Sequence, residues 1–141
     1  EIDENGFLTI TGRVKDLFKT SKGKYVAPSP IEMKISTNEN VEQVCVVGIN
    51  LPQPIAIIVL SEQGGGVIRS ELEISLNHTL VELNNRLDTH ERIHNFVIVR
   101  DQWTIENKLL TPTMKIKRNA IEKLYSINYA DWYEGDQVIF L

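Results

Sequence analysis

The distribution of apolar residues along the chain predicts the strands of one sheet. Three stretches are rich in apolar and β-branched residues: Val41 to Ile49, Pro54 to Leu60 and Phe96 to Val99. The first two are almost continuously apolar, which is typical of strands covered on both faces, so helices should pack on the sheet. Phe7 to Thr11 alternates apolar and polar residues and predicts a further strand near the start of the chain.

Two other segments have the residue spacing of a helix. In one of them a leucine recurs every three or four residues, which places these side chains on one helical face. The leucines are Leu72, Leu76, Leu80, Leu83 and Leu87. Asn119 to Tyr125 predicts a shorter helix, whereas the aromatic-rich tail from Tyr129 to Leu141 indicates no particular element.

Two capping boxes mark predicted helix starts. Ser29 and Glu32 flank Pro30, and proline suits the first position of a helix. Ser70 and Glu73 stand just before the leucine face. In each box we expect the serine to cap the helix and the glutamate to bond back to the capping residue.

Glycines predict the turns. Gly23, in the sequence Ser-Lys-Gly-Lys of residues 21–24, is expected at the tight position of a short β-hairpin. The run Gly64 to Gly66 predicts a flexible loop. Together these elements predict an α+β fold, with a small sheet of about three strands, packed helices and a short N-terminal β-hairpin.

Composition limits the classes of protein to which the chain can belong. Its 141 residues suit one domain, and a hydrophobic content of 42% argues against disorder. A net charge of −4 gives no reason to expect a nucleic-acid partner, and no apolar run approaches the length of a membrane span. Because the chain opens on Glu1 rather than on methionine, we expect a fragment of a longer protein.

Cys45 is the one cysteine and rules out an internal disulfide framework. It lies in an apolar run, so we interpret it as a buried hydrophobe rather than a catalytic thiol. A single free cysteine favours a reducing compartment, and we therefore expect a cytoplasmic protein, with peripheral membrane association left open.

Two clusters of basic residues carry the candidate chemistry. One is Gly12-Arg13-Val14-Lys15-Asp16, and the other is Lys115-Ile116-Lys117-Arg118. Taken alone, the first would be an exposed charged turn and the second a solvated basic patch leading into a helix. Their order and separation make a more specific interpretation possible.

Both clusters resemble signature motifs of the adenylate-forming superfamily, which includes acyl-CoA synthetases, adenylation domains of peptide synthetases and luciferases. The first resembles the hinge between the large and small domains, and the second resembles the motif that carries a mobile catalytic lysine. Leu110 to Thr113, just upstream, resembles the long-chain branch of the acyl-CoA synthetases. The resemblance implies the C-terminal domain of an ATP-dependent long-chain fatty acid–CoA ligase.

The same resemblance implies roles for particular residues. Lys115 would be the catalytic lysine, although the choice of Lys115 over Lys117 depends on the alignment alone. Lys15 would be the hinge about which the small domain turns, and Arg13 would contact the ribose or phosphate of the nucleotide. A lysine suits the reaction because its ammonium group can neutralise the anionic carboxylate and phosphate as they meet.

The hairpin with Gly23 and Lys24 resembles the loop that helps to form the tunnel for the pantetheine arm of CoA. Residues 1–14 would then end the large N-terminal domain, and residues 15–141 would form the small mobile domain. ATP, CoA, Mg²⁺ and the fatty acid would bind mainly on the N-terminal domain, and the isolated fragment would be inactive.

Two alternatives stay open. The parent protein could be a fatty acyl-AMP ligase or another adenylate-forming enzyme that stops at the adenylate or hands the acyl group to a carrier protein. The chain could also be an α+β interaction module without chemistry.

One further motif matches a known pattern. His90-Glu91-Arg92-Ile93-His94 has the spacing of the zinc protease motif. That motif requires a long helix and a third ligand, whereas this segment is a short link between a helix and a strand. We therefore expect no metal site there.

Overall fold

A two-stranded hairpin and a four-stranded sheet with helices make up the fold in the computed structural model, which describes residues 17–113 and 115–141. The predicted α+β class is therefore confirmed. The predicted strand from Phe7 to Thr11 and the hinge residues Arg13 and Lys15 lie outside the described residues.

Strands and helices are interspersed along the described chain. They are β1 (Phe18–Lys19), β2 (Tyr25–Val26), α1 (Pro28–Ile35), β3 (Val41–Val47), β4 (Ile55–Leu60), α2 (Glu62–Gly65), α3 (Arg69–Asn85), β5 (Phe96–Val99), α4 (Arg118–Tyr125), α5 (Tyr129–Tyr133) and β6 (Val138–Phe140). Single 3₁₀ turns span Thr89–Glu91 and Ser126–Asn128. None of the helices in the described ranges is both long enough and apolar enough to cross a membrane.

The larger sheet has the strand order β3-β4-β5-β6 and a mixed direction. Strand β4 runs antiparallel to β3 and parallel to β5, and β6 runs parallel to β5. Because successive residues of a strand point to opposite faces, the sheet divides the core into two layers. Val46 belongs to the layer of α1 and α3, whereas its neighbours Cys45 and Val47 belong to the layer of α4 and α5.

Strand β6 shows that the prediction of about three strands was one strand short. The tail for which the sequence indicated no element forms α5 and then β6, in which Val138 pairs with Phe96. Tyr129 and Trp132 of α5 are buried against the sheet. The strand is only three residues long, which is too short for its period to distinguish a strand from a helix.

The two predicted capping boxes are wrong. Helix α1 begins at Pro28 and α3 begins at Arg69, so Ser29 and Ser70 lie inside the helices. The capping residues are instead Ala27 and Ile68, and neither makes a side-chain capping bond. A local sequence pattern can be outcompeted by tertiary contacts, and Glu32 of the first box is engaged in one that is described below.

The predicted flexible loop at Gly64 to Gly66 is largely a short helix, α2. Ser61 caps this helix, because its hydroxyl oxygen accepts a hydrogen bond from the backbone N–H of Gly64 at 3.0 Å. The backbone of Asn40 lies against Gly64, and a methyl group on Gly64 would collide with the Asn40 carbonyl oxygen and lie 3.0 Å from its Cα. Gly64 is therefore required for close packing rather than for flexibility.

We predict that Gly64→Ala destabilises the protein whereas Gly65→Ala does not. The added methyl group at Gly64 meets backbone that cannot move away easily, and such overpacking typically costs about 1–3 kcal/mol. At Gly65 a Cβ would have no neighbour within 4 Å, and alanine favours a helix more than glycine does. The free energy of unfolding in a denaturant titration measures both variants, and equal stability of the two would contradict this account of Gly64.

Candidate functional site

Lys115 lies on a small exposed loop that is closed at its base. Leu110 and Ile116 form an isolated antiparallel bridge across the base, and Leu110 is only 1% exposed. Within the loop, the backbone N–H of Thr111 donates to the carbonyl oxygen of Lys115 at 2.7 Å, and the N–H of Lys115 donates to the Thr111 hydroxyl at 3.1 Å. The backbone that carries Lys115 is thus held in place while its side chain stays exposed.

The segment before this loop is fixed by a hydrogen-bond chain that runs from buried Trp103 to Asp101 at the surface. The indole N–H of Trp103 donates to the Tyr125 hydroxyl at 3.2 Å, and that hydroxyl donates to the Asp101 carboxylate at 2.9 Å. Burial raises the pKa of Tyr125 to about 12, so the phenol stays protonated and can keep donating at neutral pH. This chain ties the connection after β5 to helix α4.

The segment after the loop leads directly into α4, whose first residue is Arg118. The guanidinium group of Arg118 meets the carboxylate of Glu32 through both of its terminal nitrogens, at 2.5 and 3.3 Å. Both side chains are largely buried, with 14% and 12% of their surfaces exposed. The pair joins residues 86 positions apart and links α1 to α4.

The same pair covers the open edge of the sheet at Val46. The backbone N–H of Val46 donates to the Glu32 carboxylate at 2.8 Å, and the Val46 carbonyl oxygen accepts from Arg118 at 3.1 Å. Within residues 17–113 and 115–141, strand β3 has β4 on one side and no strand on the other, so these two backbone groups are those that a further strand would otherwise bind. We call this arrangement of Glu32, Arg118 and Val46 the edge clamp.

Cys45 lies beside the edge clamp and is buried, as predicted. Its sulfur is 3.4 Å from a terminal nitrogen of Arg118. Burial raises the pKa of the Cys45 thiol well above its ordinary value, and the nearby Arg118 cation only partly opposes this. The thiol therefore stays neutral, which is the form that packs as a small hydrophobe.

The hairpin with Gly23 and Lys24 forms as predicted. Gly23 has a φ of +80°, a backbone conformation that glycine adopts without strain. Thr20 and Lys24 close the turn, since the N–H of Thr20 donates to the Lys24 carbonyl oxygen at 2.9 Å. The N–H of Ser21 donates to the Leu51 carbonyl oxygen at 2.9 Å, which ties the hairpin to the turn between β3 and β4.

Of the two histidines in the zinc-protease pattern, His94 makes contacts within the fold. His90 lies in the 3₁₀ turn. The ring of His94 stacks on Tyr133, with 3.8 Å between the centroids, and its Nε2 is 2.7 Å from the Tyr133 carbonyl oxygen. In the ranges 17–113 and 115–141, no group of three or more His, Cys, Asp or Glu side chains is placed to hold a metal ion.

The fold agrees with what a comparison with known families finds. The family model described as the AMP-binding enzyme C-terminal domain matches residues 15–137. The chain belongs to this family. The resemblance inferred from the two basic motifs is thereby confirmed at the level of the family.

Relatives of this AMP-binding C-terminal domain are much longer than the chain. It is 30% identical to the long-chain-fatty-acid–CoA ligase FadD15 of Mycobacterium tuberculosis, over 89% of this chain and 24% of the ligase. It is 32% identical to the chloroplastic long-chain-fatty-acid–[acyl-carrier-protein] ligase AEE15 of Arabidopsis thaliana, over 85% of this chain and 17% of that protein.

Among solved structures, the A domain of carboxylic acid reductase from Segniliparus rugosus, in complex with AMP and a co-purified carboxylic acid, is similar in fold and sequence. The TM-score is 0.67 and the identity 29%, over 86% of this chain and 20% of the other. The chain thus spans 24% of the length of one of these three relatives and less of the other two.

Glu32 is the residue of the site that sequence reasoning missed. It was assigned to a capping box, whereas its carboxylate contacts Arg118 and Val46. Arg118 stood in the quoted basic motif, but nothing in the spacing connected it to a residue near the start of the chain. One usable signal was that Lys117 and Arg118 directly precede the predicted helix from Asn119 to Tyr125, and cations at a helix start are unfavourable unless an anion lies nearby.

We predict that Cys45 is unreactive toward thiol reagents in the folded AMP-binding C-terminal domain. A buried, neutral thiol is neither accessible nor nucleophilic, so labelling by dithionitrobenzoate at neutral pH should be at least about a hundredfold slower than in unfolded chain. Because the protein has one cysteine, the released chromophore reports this residue alone. Labelling of the folded protein as fast as in guanidinium chloride would contradict the buried assignment.

Proposed function

We propose that this chain is the small mobile domain of an ATP-dependent long-chain fatty acid–CoA ligase. Residues 1–14 would end a large N-terminal domain, and residues 15–141 would form the mobile domain. Membership of the AMP-binding C-terminal family and the similarity to FadD15 support this proposal. The structural observation on which it chiefly rests is that Lys115 is exposed on a loop whose base is anchored in the core.

The first proposed step is formation of an acyl-adenylate. A carboxylate oxygen of the fatty acid attacks the α-phosphorus of ATP, and the bond to the leaving pyrophosphate breaks. Both reactants are anionic, so the step is opposed by charge repulsion. The ammonium group of Lys115, presented by the closed loop, stabilises the charge that accumulates in the transition state.

In the second proposed step the thiol of CoA attacks the acyl carbon, and AMP leaves. The domain turns about Lys15 between the steps, and the hairpin with Gly23 and Lys24 then faces the pantetheine arm. Arg13 contacts the nucleotide. The N-terminal domain holds most of the ATP, Mg²⁺, CoA and fatty-acid contacts, so the isolated chain is expected to be inactive.

A carrier protein is the second candidate acyl acceptor. The similarity to AEE15, which is named as an acyl-carrier-protein ligase, favours this alternative. Supplying the full-length protein with palmitate, ATP and either CoA or a phosphopantetheinylated carrier protein separates the two candidates. If the thioester forms on the carrier protein alone, the carrier rather than CoA is the acyl acceptor, and the proposed adenylation step is unchanged.

We predict that Lys115→Ala in the full-length protein lowers the adenylation rate by about a hundredfold or more, because a preorganised positive charge is lost. Palmitate-dependent ATP–pyrophosphate exchange measures this step. Thioester formation from synthetic palmitoyl-adenylate and CoA should be largely retained. Lys117→Ala is the matched control, since it removes the same charge two residues away and should leave adenylation nearly unchanged.

Two results would contradict the role of Lys115. If thioester formation falls as far as adenylation, the loop matters for structure rather than for charge stabilisation. If Lys117→Ala instead of Lys115→Ala abolishes adenylation, the alignment of the motif is off by two residues and Lys117 is the catalytic lysine.

We predict that Lys15→Pro traps the full-length protein in one domain arrangement. Rotation requires two backbone settings at residue 15, and proline fixes φ near roughly −65° and restricts Val14 as well. If proline suits the adenylating arrangement, pyrophosphate release persists while CoA thioester formation is lost. Lys15→Ala is the control, because it keeps the backbone freedom. Equal loss in the alanine variant, or full activity of the proline variant in both half-reactions, would remove Lys15 as the hinge.

A further inference from the structure

We propose that Glu32 is a positioning residue for adenylation, and that it acts on Lys115 through Arg118. The inference rests on the proposed role of Lys115 and adds a residue from a different part of the chain. Glu32 itself lies in the edge clamp on the first helix.

The edge clamp bonds Glu32 and Arg118 to each other and to both backbone groups of Val46. Glu32 receives hydrogen bonds from the Val46 N–H and from both terminal nitrogens of Arg118, and Arg118 also donates to the Val46 carbonyl oxygen. A bidentate arginine–carboxylate pair fixes direction as well as distance. The first residue of α4 is therefore held at one place on the sheet edge.

The start of α4 has no capping group of its own. Its capping residue, Lys117, makes no side-chain capping bond, and its first turn has no acidic residue. Lys117 and Arg118 also place two cations at the positive end of the helix dipole, which disfavours helix formation there. The Glu32 carboxylate, which comes from another helix, offsets this charge together with Glu122, one turn further along α4.

Lys115 lies close to the start of α4 along the chain. Only Ile116 and Lys117 separate Lys115 from Arg118, and the Lys117 N–H donates to the Leu109 carbonyl oxygen at 2.9 Å. The edge clamp therefore holds the C-terminal side of the loop, whereas Leu109 and Leu110 hold its N-terminal side. If Arg118 loses the Glu32 carboxylate, Lys115 keeps its charge, but the backbone that presents it loses one of its anchors. Misplacement of a catalytic group by about 1 Å can cost a hundredfold in rate.

The test uses the full-length protein with Glu32→Gln, Lys115→Ala and the double variant. Glutamine keeps the size of the side chain and can still accept from Val46, but it removes the charge that faces Arg118. We expect Glu32→Gln to lower kcat for palmitate-dependent ATP–pyrophosphate exchange about tenfold. We expect the KM for ATP and the thioester half-reaction from palmitoyl-adenylate to change less than about twofold, since neither depends on the position of Lys115.

The double variant distinguishes positioning from general damage. If Glu32 acts through Lys115, adding Glu32→Gln to Lys115→Ala produces no further loss of adenylation. The matched control is Glu82→Gln, which removes a glutamate that is 60% exposed on α3 and should leave both half-reactions unchanged. Arg118→Lys, which keeps the charge but loses the bidentate geometry, should reproduce the selective loss, and it serves as the test if Glu32→Gln fails to fold.

Three results would overturn the inference. An additive loss in the double variant would show that Glu32 acts elsewhere. Equal losses in both half-reactions, with a lowered melting temperature, would show that the edge clamp only stabilises the fold. Full adenylation by Lys115→Ala would remove the proposed role of Lys115 and the Glu32 inference with it. This outcome can be told apart from the other two because it appears in the single lysine variant.

Discussion

The open edge of strand β3 is the constraint on which the arrangement of the helices depends. A sheet edge leaves backbone N–H and carbonyl groups without strand partners, and buried groups of this kind must be satisfied. In this protein two charged side chains from opposite faces of the sheet meet at Val46 and satisfy both groups. Because removing one member of a buried ion pair leaves the other uncompensated, each helix depends on the other for its place.

Much of the sheet could be predicted because its signals are local. Strands β3, β4 and β5 are apolar runs, and the hairpin has a glycine where the turn requires a positive φ. The errors arose where a remote partner decides the structure. Gly64 is packed against Asn40, and β6 is a three-residue strand that is recognisable only once β5 is in place.

The candidate site likewise contains one residue that could be found from a local motif and one that could not. Lys115 could be singled out because it lies in a motif that resembles those of a known superfamily, and the chain does belong to the AMP-binding C-terminal family. Lys115 as the catalytic residue and Lys15 as the hinge stay predictions. Glu32 could not be found from the sequence, because its partners lie 14 and 86 residues further along the chain and only folding brings them together.

The tie between α1 and α4 has a mechanical consequence. The hairpin that carries Gly23 runs through Val26 and Ala27 straight into α1, and the loop that carries Lys115 runs straight into α4. Since Glu32 and Arg118 join these two helices, the hairpin and the loop are connected to each other through the edge clamp. A displacement of one of them toward a neighbouring surface is therefore transmitted to the other through this buried ion pair.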